Sequence, residues 1–368
     1  MKVNSHNEWD TLKEIIVGNP KARASLIFDK QPTEKLKEEA EELARQAYPK
    51  NIVEEIGEDL NELTDVIKDF GAKVYRPNDE DIHKIYSTPN VIASSEHAYN
   101  ARDLHLVVGN SIIESPSQEK HRYFEAQAYY DVFYKYFEQG CKWISGPKPR
   151  LKGDYMIPYY EDEKSLFALT EDEILFEAAN TVRMGKDLLY LVSRSGNEMG
   201  AKWLQSVLGD EYRVHTTNNI YKSSHIDSTA MCLKPKVVLL NATRVNEHNC
   251  PPVFKNWKKI WFKDIVTYPH RVTEFNRNVR IPTYAKLLKL GVKSTINGIS
   301  SEWIGLNFLS LDKKTVVVDK IQTKLIKVLE KNGFNCIPIS FRWSYIMGGI
   351  HCSTLDMVRD SKLESYCD

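Results

Sequence analysis

The sequence predicts an α/β protein. Two observations carry this: short apolar runs with the look of strands recur along the chain, and several lead into segments whose apolar residues return at helical spacing. The runs, 15–18, 106–110, 188–193, Val237–Asn241 and 307–312, each end in small or polar residues. Five such strand–turn units, unevenly spaced and divergent in sequence, make only a weak internal repeat.

Taken in order, the run at 15–18 precedes a charged helix at 34–48 with a narrow stripe of Leu36, Ala40 and Leu43. A second helix, 53–70, buries Ile56, Leu60, Leu63 and Ile67 and ends at Gly71, a residue suited to the left-handed turn that closes helices. The charge runs of both helices read as solvated faces. The run at 106–110 leads to an aromatic-rich helix at 123–137 that stops at Gly140, and the run at 188–193 leads to the helix Glu198–Leu208, stopped by Gly209. A further strand is predicted at 212–215, and Val237–Asn241 follows. The stretch 267–295 carries Arg271, Arg277, Arg280 and several lysines; it reads as a surface insertion or as a basic lid that would favour an acidic acceptor. Beyond 307–312, a helix at 321–330 buries Ile321, Leu325, Val328 and Leu329 and stops at Gly333.

Composition narrows the function. By length, 368 residues allow one large or two to three ordinary domains. Lysine plus arginine equals aspartate plus glutamate at 50 each, which argues against a nucleic-acid or membrane-surface role, since either would concentrate positive charge. No secretory pattern opens the chain and no apolar run reaches the roughly 18 residues of a membrane span, so a cytoplasmic protein is expected. The six cysteines, Cys141, Cys232, Cys250, Cys336, Cys352 and Cys367, show no CxxC spacing; reduced thiols and no metal site are expected. His248 and Cys250 lack partners at ligand spacing and read as structural.

Four blocks carry candidate chemistry. Met347-Gly348-Gly349-Ile350-His351-Cys352 presents a thiol after two glycines, where main chain can approach a substrate closely and a thiolate could act as nucleophile. His225-Ile226-Asp227, if extended, points an imidazole and a carboxylate to one face. Phe176-Glu177-Ala178-Ala179-Asn180 and Asn100-Ala101-Arg102-Asp103 each place a carboxylate beside a predicted strand, where loops commonly carry function.

Together these blocks resemble the arginine:amine amidinotransferases, in which a cysteine takes the amidino group of arginine and passes it to an amine. The resemblance spans nearly the whole chain: His6-Asn7-Glu8-Trp9-Asp10 with Ile15-Ile16-Val17-Gly18, Arg102-Asp103, Val108-Gly109-Asn110-Ser111-Ile112-Ile113-Glu114, Lys142-Trp143, Pro147-Lys148-Pro149, the glutamate block, His225-Ile226-Asp227, Asn241 with Arg244, and Gly348-Gly349-Ile350-His351-Cys352. The stretches 187–193 and 200–206 are similar to the inosamine-phosphate subgroup. The resemblance implies a five-bladed pseudo-symmetric α/β propeller of pentein type, forming one catalytic domain over 1–368. It assigns Cys352 as nucleophile, His225 as general acid/base and Glu177 as the carboxylate that orients it. Asp103 and Asp227 match carboxylates that grip guanidinium, Arg244 a cation for the donor carboxylate, and Ser300 or Ser301 the donor pocket. Two departures stand out: Glu177 replaces an aspartate, and Met347 a glycine-like position.

The same resemblance implies small-molecule substrates, L-arginine and an amine, with no cofactor and no metal, and allows a homodimer. The nearby acids should raise the pKa of Cys352, and the substrate guanidinium would supply the compensating charge. Ser224 stands where glycine-using relatives carry a bulkier residue, so the expected acceptor is larger than glycine. Because 267–295 departs from the aminocyclitol subgroup, the sequence leans to an amino acid such as lysine, giving homoarginine and ornithine. Aminocyclitol phosphate or glycine as acceptor, a guanidine-modifying hydrolase and a non-catalytic arginine-binding protein stay open.

Overall fold

Five three-stranded sheets with one connection pattern organise the chain. The computed structural model describes residues 2–152, 156–157, 168–294 and 300–367; Thr295, the last residue of the basic stretch, lies outside them. In each of the five sheets the first two strands pair antiparallel and a third joins the middle strand in parallel. A parallel third strand requires a crossover. Helices supply it in four of the sheets: Glu34–Gln46 with Lys50–Asp69, Tyr130–Phe137, Glu198–Leu208, and Thr323–Lys331. In the fourth sheet along the chain the crossover holds only the short turn Pro252–Phe254. One sheet joins the two ends of the chain, since Thr354–Arg359 pairs with Leu12–Val17.

Local chemistry explains the hairpins. Gly109 and Gly185 sit at φ +56° and +75° in the turns that join Val108 to Ser111 and Met184 to Asp187, a backbone region that favours glycine. The middle strands read as continuous apolar runs because both faces are covered: all five residues of Asp187–Leu191 and of Val237–Asn241 are buried. On Thr323–Lys331, Leu325 and Leu329 are fully buried, each contributing about 1.5–3 kcal/mol.

Several sequence expectations shift. The run at 307–312 yields only the two-residue strand Leu309–Ser310, and the middle strand of that sheet is Thr315–Asp319. Asp312 explains the break: its Oδ1 accepts from the amides of Lys314 and Thr315 at 2.7 and 2.6 Å, turning the chain. The predicted helix 123–137 is a 3₁₀ stretch, Glu125–Tyr129, followed by the helix Tyr130–Phe137. The stretch 267–295 forms the helix His270–Phe275, a π-helical turn at Asn276–Arg280 and the helix Ile281–Lys289. Among the described residues no helix is long and apolar enough to cross a membrane.

Candidate active site

The approach to the first strand of each of the five sheets supplies a predicted site residue. Asp103 precedes His105–Val108, Glu177 precedes Thr181–Met184, and His225 with Asp227 precedes Ala230–Lys234. Ser300 and Ser301 precede Leu309–Ser310, and Cys352 precedes Thr354–Arg359. A repeated connection thus brings residues 249 positions apart into one place. Main-chain bonds tie the approaches together: the Ala178 amide donates to the Asp103 carbonyl at 2.6 Å and the Arg102 amide to the Cys352 carbonyl at 3.3 Å.

Cys352, Asp103, Ser224, His225, Asp227, Ser300 and Ser301 line one cavity of about 240 Å³. Glu177 and Arg244 stand behind this lining. A larger cleft of about 490 Å³, bounded by Glu80, Asp81, Lys84 and Asp131, contains no cysteine or histidine; chemistry, not size, selects the smaller one.

The thiol is held at a tight turn. Gly348 lies at φ +117° after the one-turn helix Ser344–Met347, and a Cβ on Gly349 would sit 2.4 Å from Asn307 Oδ1. Asn307 can come that close because position 349 has no side chain, and it accepts the Cys352 amide at 2.8 Å. Met347, buried at this cavity's edge, occupies the departed glycine-like position. The Cys352 thiol donates to Asp227 Oδ2 at 3.6 Å. Burial first, then Asp227 and Asp103, pushes its pKa well above the ordinary thiol value, the direction the sequence predicts.

His225 and Asp227 are not in extended strand. His225 is extended itself, at φ −70° and ψ 159°, but caps the 3₁₀ turn Ile226–Ser228 that carries Asp227. Ile226 is fully buried, and both polar side chains still reach the cavity. His225 Nε2 bonds Glu177 Oε2 at 2.6 Å and its Nδ1 lies 3.7 Å from Asp103 Oδ1. Burial pulls the imidazole pKa down, but Asp103, Glu177 and Asp227 outweigh it and raise it to about 9.

The additional methylene of Glu177 is accommodated by two anchors. Its Oε1 accepts from Ser117 Oγ at 2.7 Å and from Arg122 Nη1 at 3.3 Å, leaving Oε2 for His225. Burial opposes ionisation, yet Arg122 and His225 bring the carboxyl down to about 2. The same Arg122 donates to Asp103 Oδ2 at 2.9 Å and grips Glu125 through both carboxylate oxygens at 2.6 and 2.8 Å. Asp103 Oδ1 is buried with no hydrogen-bond partner, and burial raises this carboxyl's pKa against the pull of His225 and Arg122.

Arg244 is placed by Asn241, whose carbonyl accepts its amide at 3.1 Å. Its guanidinium lies 3.6 Å from the Tyr221 ring centroid, donates to Ser301 Oγ at 2.6 Å and reaches Ser228 Oγ and Thr229 Oγ1 at 2.9 Å each. Ser300 is fixed through its amide to the Tyr345 carbonyl at 2.7 Å, and the Ser224 carbonyl accepts from Ser193 Oγ at 2.9 Å.

Three supporting residues escape sequence reasoning in these roles. Arg122 and Asn307 sit in no motif, and nothing local marks them. His351 lies within the cysteine motif, but its links, Nδ1 to Asp227 Oδ2 at 3.0 Å and Nε2 to Glu8 Oε2 at 3.5 Å, appear only once distant segments meet. Ligand atoms of Asp103, Glu177 and His225 fall within 4.8 Å of one another, a spacing a cation could use. Arg122 and His225 already bond oxygens of these carboxylates.

No family model matches the chain. It is 37% identical to inosamine-phosphate amidinotransferase 1 of Streptomyces glaucescens over 99% of each chain. It is 34% identical to the L-arginine:L-lysine amidinotransferase of Pseudomonas savastanoi pv. phaseolicola, over 99% of this chain and 96% of that one. The solved inosamine-phosphate amidinotransferase of Streptomyces griseus superposes with a TM-score of 0.82 at 35% identity, covering 100% of this chain and 99% of that one. The DDAH of Pseudomonas aeruginosa, at 12% identity and a TM-score of 0.56 over 94% of this chain and 99% of that one, shares the α/β pentein fold alone. Full-length identity at this level places the chain in the amidinotransferase family.

Proposed function

We propose that the protein transfers the amidino group of L-arginine, through a covalent amidino-Cys352, to an amine larger than glycine, releasing ornithine. One observation carries this: Cys352, His225 and Asp103, one of whose oxygens makes no hydrogen bond, line one cavity, with Glu177 bonded to His225 behind it. We also read the five sheets as blades of one five-bladed α/β propeller, a single catalytic domain.

Guanidinium is delocalised and a poor electrophile. Asp103 Oδ1 and Asp227 would accept its N–H groups and hold the central carbon against Sγ, with charge stabilised by fixed groups rather than by water. The resting thiol is protonated; the entering cation replaces the positive charge that the acids withhold. Sγ then bonds to the guanidinium carbon. As the tetrahedral adduct collapses, the C–N bond to the ornithine nitrogen breaks, and imidazolium His225 gives that nitrogen its proton. The thiol proton passes to Asp227 Oδ2, its hydrogen-bond acceptor, and His225 is left a neutral imidazole, so atoms and charge balance. The acceptor amine next attacks the thiouronium carbon, passes a proton to the neutral His225 and expels Cys352, whose sulfur takes back the proton held on Asp227, giving ping-pong kinetics. Arg244 and Ser301 would hold the donor carboxylate.

For the acceptor, Ser224 leaves room beyond glycine. The inosamine-phosphate relatives favour an aminocyclitol phosphate over the lysine to which the sequence leans; the arginine:lysine relative keeps lysine as the second reading. The test is an intact mass and peptide map after incubation with arginine alone. One amidino group on Cys352 with free ornithine is expected. Arginine bound but unchanged would overturn the reading, and urea or citrulline would point to hydrolysis.

A further inference from the structure

Arg122 divides its donors among three carboxylates, and only two of them belong to the cavity wall or its backing. Arg122 ends the 3₁₀ turn Lys120–Arg122, and Glu125, three residues on, opens the stretch Glu125–Tyr129. Glu125 is 1% exposed and does not line the cavity that holds Cys352. It nevertheless takes one whole edge of the guanidinium: Nε donates to its Oε2 at 2.8 Å and Nη2 to its Oε1 at 2.6 Å. Nη1, with two hydrogens, serves Asp103 Oδ2 at 2.9 Å and Glu177 Oε1 at 3.3 Å, one bond each.

We propose that Glu125 is a positioning residue for the transfer: by holding Arg122 along one edge, it keeps Asp103 Oδ1 open for the substrate guanidinium and Glu177 Oε2 open for His225. What those two oxygens do rests on the amidino-transfer reading above. The competing arrangements show why an anchor is needed. Arginine pairs with a carboxylate best through two parallel hydrogen bonds. Released from Glu125, the fork would be free to take both oxygens of Asp103 and close the one that now has no partner. It would equally be free to take both oxygens of Glu177 and displace His225, which holds Oε2 at 2.6 Å. Glu125 satisfies the fork away from the reacting groups, so each of the other two carboxylates is left with one oxygen to use.

Charge follows the same path. Asp103, Glu177 and Asp227 act directly on the His225 imidazole and favour its protonated form. Arg122 opposes them, and Glu125 offsets part of the Arg122 charge. Neutralising Glu125 therefore strengthens the cation behind Asp103 and Glu177 and disfavours imidazolium. Burial raises the Glu125 carboxyl to about 7 against the pull of Arg122, so its charge is in place at higher pH, where His225 titrates.

The experiment compares the full chain with Glu125→Gln and Glu125→Asp. It reads arginine-dependent amidination of Cys352 at about pH 8, above the Glu125 value, and the titration of His225 by NMR in histidine-labelled protein without substrate. Glu125→Gln keeps the size of the side chain and removes one acceptor of the fork. KM for arginine should rise on the order of 10-fold, as for loss of a hydrogen bond between charged groups. The His225 titration should move down by roughly half a pH unit. Glu125→Asp, with the charge on a shorter arm, should return the titration toward the wild-type value while KM stays raised. An unmoved His225 titration in folded Glu125→Gln, whatever its KM or melting temperature, would overturn the proposal and leave Glu125 a packing role. A shift that Glu125→Asp fails to correct would overturn it too. If the titration moves as expected but wild-type Cys352 takes up no amidino group, the amidino-transfer reading fails instead, because the titration needs no turnover.

Discussion

Two buried charge clusters lie back to back in this molecule, and they are built on opposite principles. Beneath the cavity, Asp356 meets Arg102 at 2.7 Å, Arg183 at 2.7 and 3.0 Å and Arg359 at 2.7 Å, with Ser5 Oγ donating to it at 2.9 Å. Glu8 is gripped by Arg183 through both of its oxygens at 2.8 Å. Burial opposes ionisation of Glu8 and Asp356, but the arginines hold both well below the ordinary carboxylate range. In the cavity the same residue types are left incomplete: Asp103 keeps one oxygen open, its carboxyl is pushed up, and the Cys352 thiol is pushed up with it. A satisfied network fixes a framework. An unsatisfied one, costly in the empty protein, is complementary to an incoming guanidinium.

The contrast can be broken from either side. Glu177→Gln should reduce amidination of Cys352 most, by about 10²- to 10⁴-fold, the usual range for losing acid–base function. It should also move the alkaline limb of the rate–pH profile, set by His225 near 9, to lower pH, because removing a negative neighbour destabilises imidazolium. A limb that does not move would separate Glu177 from His225.

Asp356→Asn should come next, costing about 3–5 kcal/mol of unfolding free energy in urea, because it leaves buried arginines uncompensated. The matching change in the cavity, Asp103→Asn, should do the reverse: arginine turnover is lost while stability holds or rises, since burial already disfavours the charged form. Equal destabilisation by the two would erase the distinction between the clusters.

The pH dependence of unfolding sharpens it further. The framework carboxylates have lowered folded pKa values, so their contribution is present above the unfolded value near 4 and lost as pH falls through the folded one. His225 is raised to about 9, so its contribution is complete below the unfolded value of about 6.5 and lost as pH rises through 9. In Glu177→Gln the alkaline loss should shrink while the acid loss from Glu8 and Asp356 remains. Ser224→Met should have the smallest effect, reducing use of a large acceptor more than of glycine; equal losses would dismiss Ser224 as a selector.

The residues proposed for the chemistry were legible and much of their support was not. Cys352, His225, Asp227, Glu177, Asp103 and Arg244 each stand in a short motif, and the fold gathers all of them. Arg122 joins Asp103, Glu125 and Glu177 from up to 55 positions away, and no window of sequence can display such a bond. The His225–Asp227 pair, read as sharing one face if extended, lies at a 3₁₀ turn instead; alternate polar residues fit a period of two, but a three-residue turn leaves the same trace. Likewise 307–312 looked like a full strand, because Asp312's turn-forming bonds to Lys314 and Thr315 compete with strand continuation and depend on geometry.

His351 belongs to both clusters, with one ring nitrogen toward Asp227 and the other toward Glu8. Thermostability and reactivity are therefore not independent traits here. A substitution in the framework chosen to harden the protein acts, through one imidazole, on the carboxylate that accepts the Cys352 thiol, so directed evolution for robustness would drift the nucleophile with it. Variants selected on melting temperature alone should show a correlated spread in thiol reactivity, and replacing His351 by a residue unable to bridge would uncouple the two.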